Sequence, residues 1–249
     1  PETRDALIRR GFRISTTRAS ESLNTELSRV EGPPGLLPSA ALRLVEQIDP
    51  GVLRARNDIY RRFSLSRYQP RGQTCREDCE TYKLANWQPD FVQCALQSQI
   101  GLIDTRVDTR HPSLAGADIE IETVRRADRG ASDAAHGTGV ASLLIGQPGT
   151  AVVGTLPRAR IVAVDAFHRW GGSEAADAFD LVAALDVLAA RDVRLVNVSL
   201  SGPANPILEK AIAELRARDV VIVAAAGPSG AAQAGYPARY PGVIAVSAV

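Results

Sequence analysis

Methionine is missing altogether from the 249 residues, and proline stands at the first position. The expectation is therefore a fragment, or the ordered part, of a longer protein rather than a raw translation product. No apolar stretch approaches the roughly 20 residues that span a bilayer, because the longest are broken by charge. No membrane span is expected. Neither sign of charge is in excess: 29 basic against 28 acidic residues leave a net charge of +1. That gives no electrostatic footing for nucleic acid or an acidic membrane surface. Cysteine is scarce and clustered, at Cys75, Cys79 and Cys94. One disulfide plus one unpaired thiol suits a secreted or periplasmic protein. Cys79 to Cys94 closes a loop of suitable size, although sequence does not choose the pair. Three thiolates with no nearby histidine lack the fourth ligand of a zinc site. Three free thiols in a cytosolic protein stay open as the plainer reading.

What the chain does contain is an alternation of periods. Strands are predicted near 97–103, 160–166, 193–199 and 219–225, and helices near 136–146, 173–190 and 205–217. This βα order is that of a parallel sheet covered by helices on both faces. The last helix has the fullest local signature, with Asn205 as N-cap and Pro206 at its first position. Its apolar stripe is Leu208, Ala211, Ile212 and Leu215. Residues 1–63 read as a small α+β unit: strand-like ALIRRGFRIST and SLNTELSRVE, a helix at 39–48 and a strand near 51–59. The Arg-rich segments LIRRGFR and YRRF there read as solvated strand faces. Residues 64–95 read as a linker carrying the cysteine cluster, with Pro70, Gly72 and Pro89 as breakers. Residues 96–249 form the main domain.

Two short segments carry the chemistry. QSQIGLID is an apolar run of strand length ending in Asp104, and HGTGVASLLIG opens a helix with His136. An aspartate at a strand tip and a histidine in the first turn of a helix suit general-base catalysis, where a carboxylate orients and stabilises an imidazole. Gly137 and Gly139 give the backbone freedom beside the ring and permit close helix packing. Alone, the aspartate reads as a turn former and the histidine as a packing residue. His111 reads as part of a turn and His168 as an exposed loop residue. GTGVAS lacks the third glycine and the preceding strand of a dinucleotide fingerprint, so no cofactor is expected. Asn197 to Ser199 is a glycosylation sequon, but it falls in a predicted buried strand.

The order Asp before His, followed by DTRVDTRHPSL, RIVAVDAF, VRLVNVSLSGP, VVIVAAAG and YPARYPGVIAVSAV, resembles the subtilisin-like serine proteases, the subtilases, over about residues 97–249. The resemblance implies that Asp104 and His136 are the acid and base of a triad. It implies that Ser199, Leu200, Ser201 and Gly202 form the strand that pairs with a protein or peptide substrate, which binds as an added strand. Ala225, Ala226 and Gly227 then line the opposite side of the specificity pocket. The layout of residues 1–63 resembles the family's inhibitory propeptide, whose extended tail lies in the cleft, so a zymogen with its own propeptide as intramolecular inhibitor is implied. Calcium is compatible with the family, but no metal site is readable.

Several positions depart from the family pattern. Arg106 stands where a small residue is usual and crowds or recharges the cleft. Gly139 replaces a second histidine, and Ser201 stands where many members have glycine. Pro228 occupies the place of the asparagine that donates to the oxyanion. Loss of such a donor costs roughly 100- to 1,000-fold in turnover. No G-T-S-x-A segment is found in the 249 residues, so the serine nucleophile is not in this chain. Ending at VIAVSAV would leave the apolar face of a parallel sheet uncovered, at about 25 cal/mol per Å². Two functions follow as expectations: a serine endopeptidase captured as its whole or truncated zymogen, or a catalytically inactive pseudoprotease that binds peptide or protein.

Overall fold

The computed structural model describes residues 2–62, 86, 99–227 and 235–247. Helix α1 (Glu2–Arg9), strands β1 (Arg13–Ser20) and β2 (Thr25–Glu31), helix α2 (Pro38–Ile48) and strand β3 (Ile59–Arg62) come first. Then follow β4 (Ile100–Asp104), β5 (Ile119–Thr123), α3 (Ala135–Ile145), β6 (Ile161–Asp165), β7 (His168–Trp170) and β8 (Ser173–Asp177). Helix α4 (Ala178–Ala190), β9 (Leu195–Val198), β10 (Leu200–Ser201), α5 (Pro206–Arg216), β11 (Val221–Ala225) and β12 (Ile244–Val246) complete the order.

Six strands form a parallel sheet in the order β12-β11-β9-β4-β6-β5. β4 and β6 are buried at every residue, because helices cover both faces and leave no room for alternation. One core, built from α4 and α5, includes Leu185, Leu188, Val196, Ile212 and Ile222; the other, under α3, includes Leu102, Ala141, Ile145 and Ile161. α5 starts as its sequence dictates. The Asn205 side chain accepts from the backbone N–H groups of Ile207 and Leu208, Pro206 follows, and Leu208, Ala211, Ile212 and Leu215 are buried.

The chain leaves β4 toward β6 and β5 on one side, and only later places β9, β11 and β12 on the other. The order therefore reverses between β4 and β9. Open α/β sheets form their crevice outside the carboxyl ends of the strands at such a reversal. Asp104 ends β4, and Ser199 to Gly202 follow directly on β9.

The N-terminal unit packs on this body through β1 and β2. Arg29 of β2 donates to both carboxylate oxygens of Asp177 at 2.8 Å and to Asp180 at 3.0 Å, and its guanidinium lies 4.5 Å from the Phe179 ring centre. Asp186 of α4 accepts from the Ser20 hydroxyl and the Ser22 backbone. Burial, then the neighbouring Asp177 charge, pushes the Asp180 carboxyl up to about 7.

Several predicted elements need correction. The segment read as a strand from Ala6 begins as helix α1, acidic in its first turn and basic in its last, and β1 starts only at Arg13. The strand expected near 51–59 lies at 59–62 instead. Residues 173–177, predicted as the start of a helix, form β8, because β3 and β7 pair with them on either side. α2 forms as expected, but none of its residues is buried. Its Ala41 and Val45 line a cavity of about 710 Å³ shared with Phe12, Leu27 and Phe179. The cysteines, the linker apart from Asn86, and Pro228 lie outside the described residues.

Candidate active site

Asp104 and His136 are brought together. Asp104 ends the buried strand β4 and is 1% exposed. His136 lies in the first turn of α3, with 13% of its side chain exposed. His136 Nδ1 lies 2.7 Å from Asp104 Oδ1, which also accepts from the Thr105 backbone N–H at 2.6 Å. A carboxylate held this way fixes the ring's orientation and stabilises an imidazolium formed when Nε2 takes up a proton.

The junction between β4 and α3 is built from short side chains. Thr105 Oγ1 accepts from the Gly137 backbone at 2.9 Å, and Thr138 Oγ1 accepts from the Asp108 backbone at 2.8 Å. Ser132 Oγ accepts from the Arg106 backbone at 3.0 Å and lies 3.2 Å from Asp165 Oδ1. Asp165 sits level with Asp104 on β6. Burial pushes its carboxyl up, opposed by the Arg125 guanidinium and the Ser132 hydroxyl.

A β-carbon at Gly137 would sit 2.3 Å from the Thr105 carbonyl oxygen. Gly139 meets nothing within 4 Å, so the close packing expected of both glycines belongs to Gly137 alone. We expect Gly137→Ala to destabilise the domain by about 1–3 kcal/mol, as overpacking against backbone does. His136 would shift with the displaced turn. Chemical denaturation of this variant beside Gly139→Ala, expected to stabilise by up to about 1 kcal/mol because its helical site is open, measures the difference.

Across the crevice, β10 and the turn after β11 face each other. A β-carbon at Gly227 would lie 3.3 Å from Ser201 Oγ, and one at Gly235 2.9 Å from Ser201 Cβ. Gly227 has φ +101°, where glycine is favoured. The Ala226 carbonyl accepts from Gly235 N at 2.8 Å, and its own N–H donates to Val246 at 2.8 Å. Ala225 ends β11, and Ser199 Oγ is held by the Asn197 amide at 2.8 Å. Leu200 points into the core, fully buried. Ser201 is thus closely flanked by both Gly227 and Gly235.

β3 runs beside β10, between it and β8. It pairs antiparallel with β10, through Leu200 to Arg62 and Ser201 to Arg61, and on its other edge with β8, through Asp177 to Ile59 and Ala176 to Tyr60. β8 and Gly235 were missed in the sequence. The signal for β8 was Asp177, whose side chain caps α4 by accepting from Asp180 N. His168, predicted to be exposed, is fully buried on β7 with its ring 6.0 Å from Trp170. Burial pushes its pKa down. His111 keeps its turn role, with Nδ1 accepting from Ser113 N at 3.3 Å. Arg106 is exposed beside Thr105.

The model of the subtilase family matches residues 97–249. The chain belongs to the subtilase family. A thermophilic serine proteinase of Bacillus sp. (strain AK1) is 34% identical over 214 residues, 83% of this chain and 50% of that protein. Thermitase of Thermoactinomyces vulgaris is 30% identical over 60% of this chain and 54% of its own length. The structure of the patellamide maturation protease PatA superposes with TM-score 0.53 at 32% identity, covering 62% of this chain and 57% of that one. This subtilase chain thus spans about half the length of the curated relatives it matches. No helix among the described residues is long and apolar enough to cross a membrane.

Proposed function

We propose that this chain is part of a subtilisin-like serine endopeptidase, held as a zymogen by its own N-terminal unit. The observation that carries the reading is the 2.7 Å contact between His136 Nδ1 and Asp104 Oδ1 at the mouth of the β4/β9 crevice. In this reading Asp104 orients His136, and His136 takes the proton of a serine that the full-length protein supplies. The serine oxygen attacks the peptide carbonyl, and His136 then protonates the leaving amine.

Substrate binds as an extended strand along Ser199, Leu200, Ser201 and Gly202. Ala225, Ala226 and Gly227 form the facing wall. β3 fills that place between β8 and β10, which makes residues 1–63 an intramolecular inhibitor and 64–95 the linker to be cut. Pro228 leaves the oxyanion without the usual side-chain donor, so turnover is slow or a substitute donor serves. No cofactor enters the scheme, and a secreted or periplasmic setting suits the clustered cysteines.

The test is intact mass over time on protein from the complete gene, beside His136→Ala. The expected result is release of a fragment from the first 95 residues by the unchanged protein and none by the variant. Equal release by both, or none by either, favours the inactive peptide-binding module.

A further inference from the structure

β3 is itself a peptide strand seated between β10 and β8, and its side chains report what the flanking walls accept. Tyr60 is fully buried. Its hydroxyl donates to the Pro203 carbonyl at 2.9 Å, and its ring lies where a side chain on Gly202 would be, 2.5 Å from that β-carbon position. Tyr60 and Arg62 are two residues apart, hence on the same face of the strand. Arg62 Nε donates at 2.7 Å to Oε2 of Glu174 on β8. Glu174 has only 8% of its side chain exposed, while Arg62 has 31%.

The other oxygen of Glu174 accepts from the backbone N–H of Asp133, and Asp133 Oδ1 accepts from Ala135 N at the start of α3. The acid that holds Arg62 is therefore anchored three residues before His136. A buried carboxylate favours a cation on the strand beside it and disfavours an anion. Among the described residues Arg61 meets only the Ser173 hydroxyl, at the surface, so its position carries little selection.

We propose that Glu174 is a specificity-determining residue of the cleft, selecting extended segments with an aromatic residue two positions before an arginine or lysine. The aromatic side chain takes the slot under Gly202, and the basic side chain meets Glu174. The proposal rests on the reading of the crevice as a substrate cleft with β3 as its substrate-like occupant.

The experiment uses full-length protein after release of the N-terminal unit and quenched-fluorescent peptides copying residues 57–66, with Ala or Glu in place of the arginine that copies Arg62, or Ala in place of the tyrosine. Cleavage of the parent is expected to exceed that of the Ala peptide by about 10- to 100-fold in kcat/KM, the range of hydrogen bonds to charged groups. The Glu peptide should be poorer still. Glu174→Gln, which keeps an acceptor for Asp133 N, should bring the Arg to Ala ratio toward parity. A ratio near one in the unchanged protein, or a ratio unmoved by Glu174→Gln, overturns the proposal.

If no peptide is cut, the protease reading fails separately, and the subsite is read by hydrogen exchange at residues 59–62 of the full-length protein with that unit in place. Arg62→Glu should speed exchange, and Arg62→Glu with Glu174→Arg should slow it again. Additive effects of the two changes would overturn the role of Glu174.

Discussion

Asp104→Asn in the full-length protein is expected to lower turnover about 10⁴-fold while leaving the fold in place, as loss of the triad carboxylate does. Asp104 Oδ1 sits between two partners, Thr105 N at 2.6 Å and His136 Nδ1 at 2.7 Å. An asparagine that keeps its carbonyl there preserves the ring's tautomer but not the negative charge that stabilises the imidazolium. Turned the other way, its amide donates to Nδ1 and puts the ring proton on Nε2, where the base must be free. Both orientations disable His136 by a change of the same shape and volume. Steady-state kinetics with a thermal melt check the expectation. A loss below tenfold with an intact fold would remove Asp104 from the mechanism.

Arg29→Ala has the largest expected effect on stability. Arg29 has 10% of its side chain exposed, and Asp177 and Asp180 have 3% each. Removing the arginine leaves two carboxylates buried without their cation, and breaking such a buried arrangement costs about 3–5 kcal/mol. The stacking on Phe179 is lost as well. Arg29→Lys should fall between, because an ammonium cannot reproduce the guanidinium's planar fork of donors.

The pH dependence follows from the direction of the Asp180 shift. Its folded pKa is raised, to about 7, against an unfolded value of about 3.9. The stability it contributes is therefore present below about 4 and lost as pH rises through about 7. With Arg29 gone the two carboxylates repel with only the more distant Arg126 charge to offset them, so the deficit of Arg29→Ala should be larger at pH 8 than at pH 5. Urea unfolding at both pH values tests this. The N-terminal unit should also detach first, seen as faster limited proteolysis of residues 2–62. Equal deficits at the two pH values would contradict the electrostatic origin.

The parts of this molecule legible in its sequence are those whose cause is local or strongly periodic. Asn205 and Pro206 announce α5, and its buried stripe is the predicted one. The apolar runs ending at Asp104 and Asp165 are strands buried on both faces. The Asp104 and His136 segments could be placed together because each sits at the end of an element whose type was readable. What failed was set at long range. SEAAD is alanine-rich and reads as helix, yet pairing with β3 and β7 makes it a strand. His168 is buried as a member of that same small sheet, opposite Ala175 of β8. α1 has alternating apolar residues around its end and a single buried residue, Leu7, so neither period stands out. The docking of the four-residue β3 between two strands from the main domain has no local signal in IYRR at all.

The most direct measurement is labelling by a fluorophosphonate, which reacts only with an activated serine, on full-length protein after release of the N-terminal unit. The unchanged protein should carry one label on a single serine, and His136→Ala should carry none. An unlabelled protein of full mass, folded and with the crevice vacated, would contradict the protease reading. It would leave a domain that keeps the subtilase cleft only to hold a peptide strand.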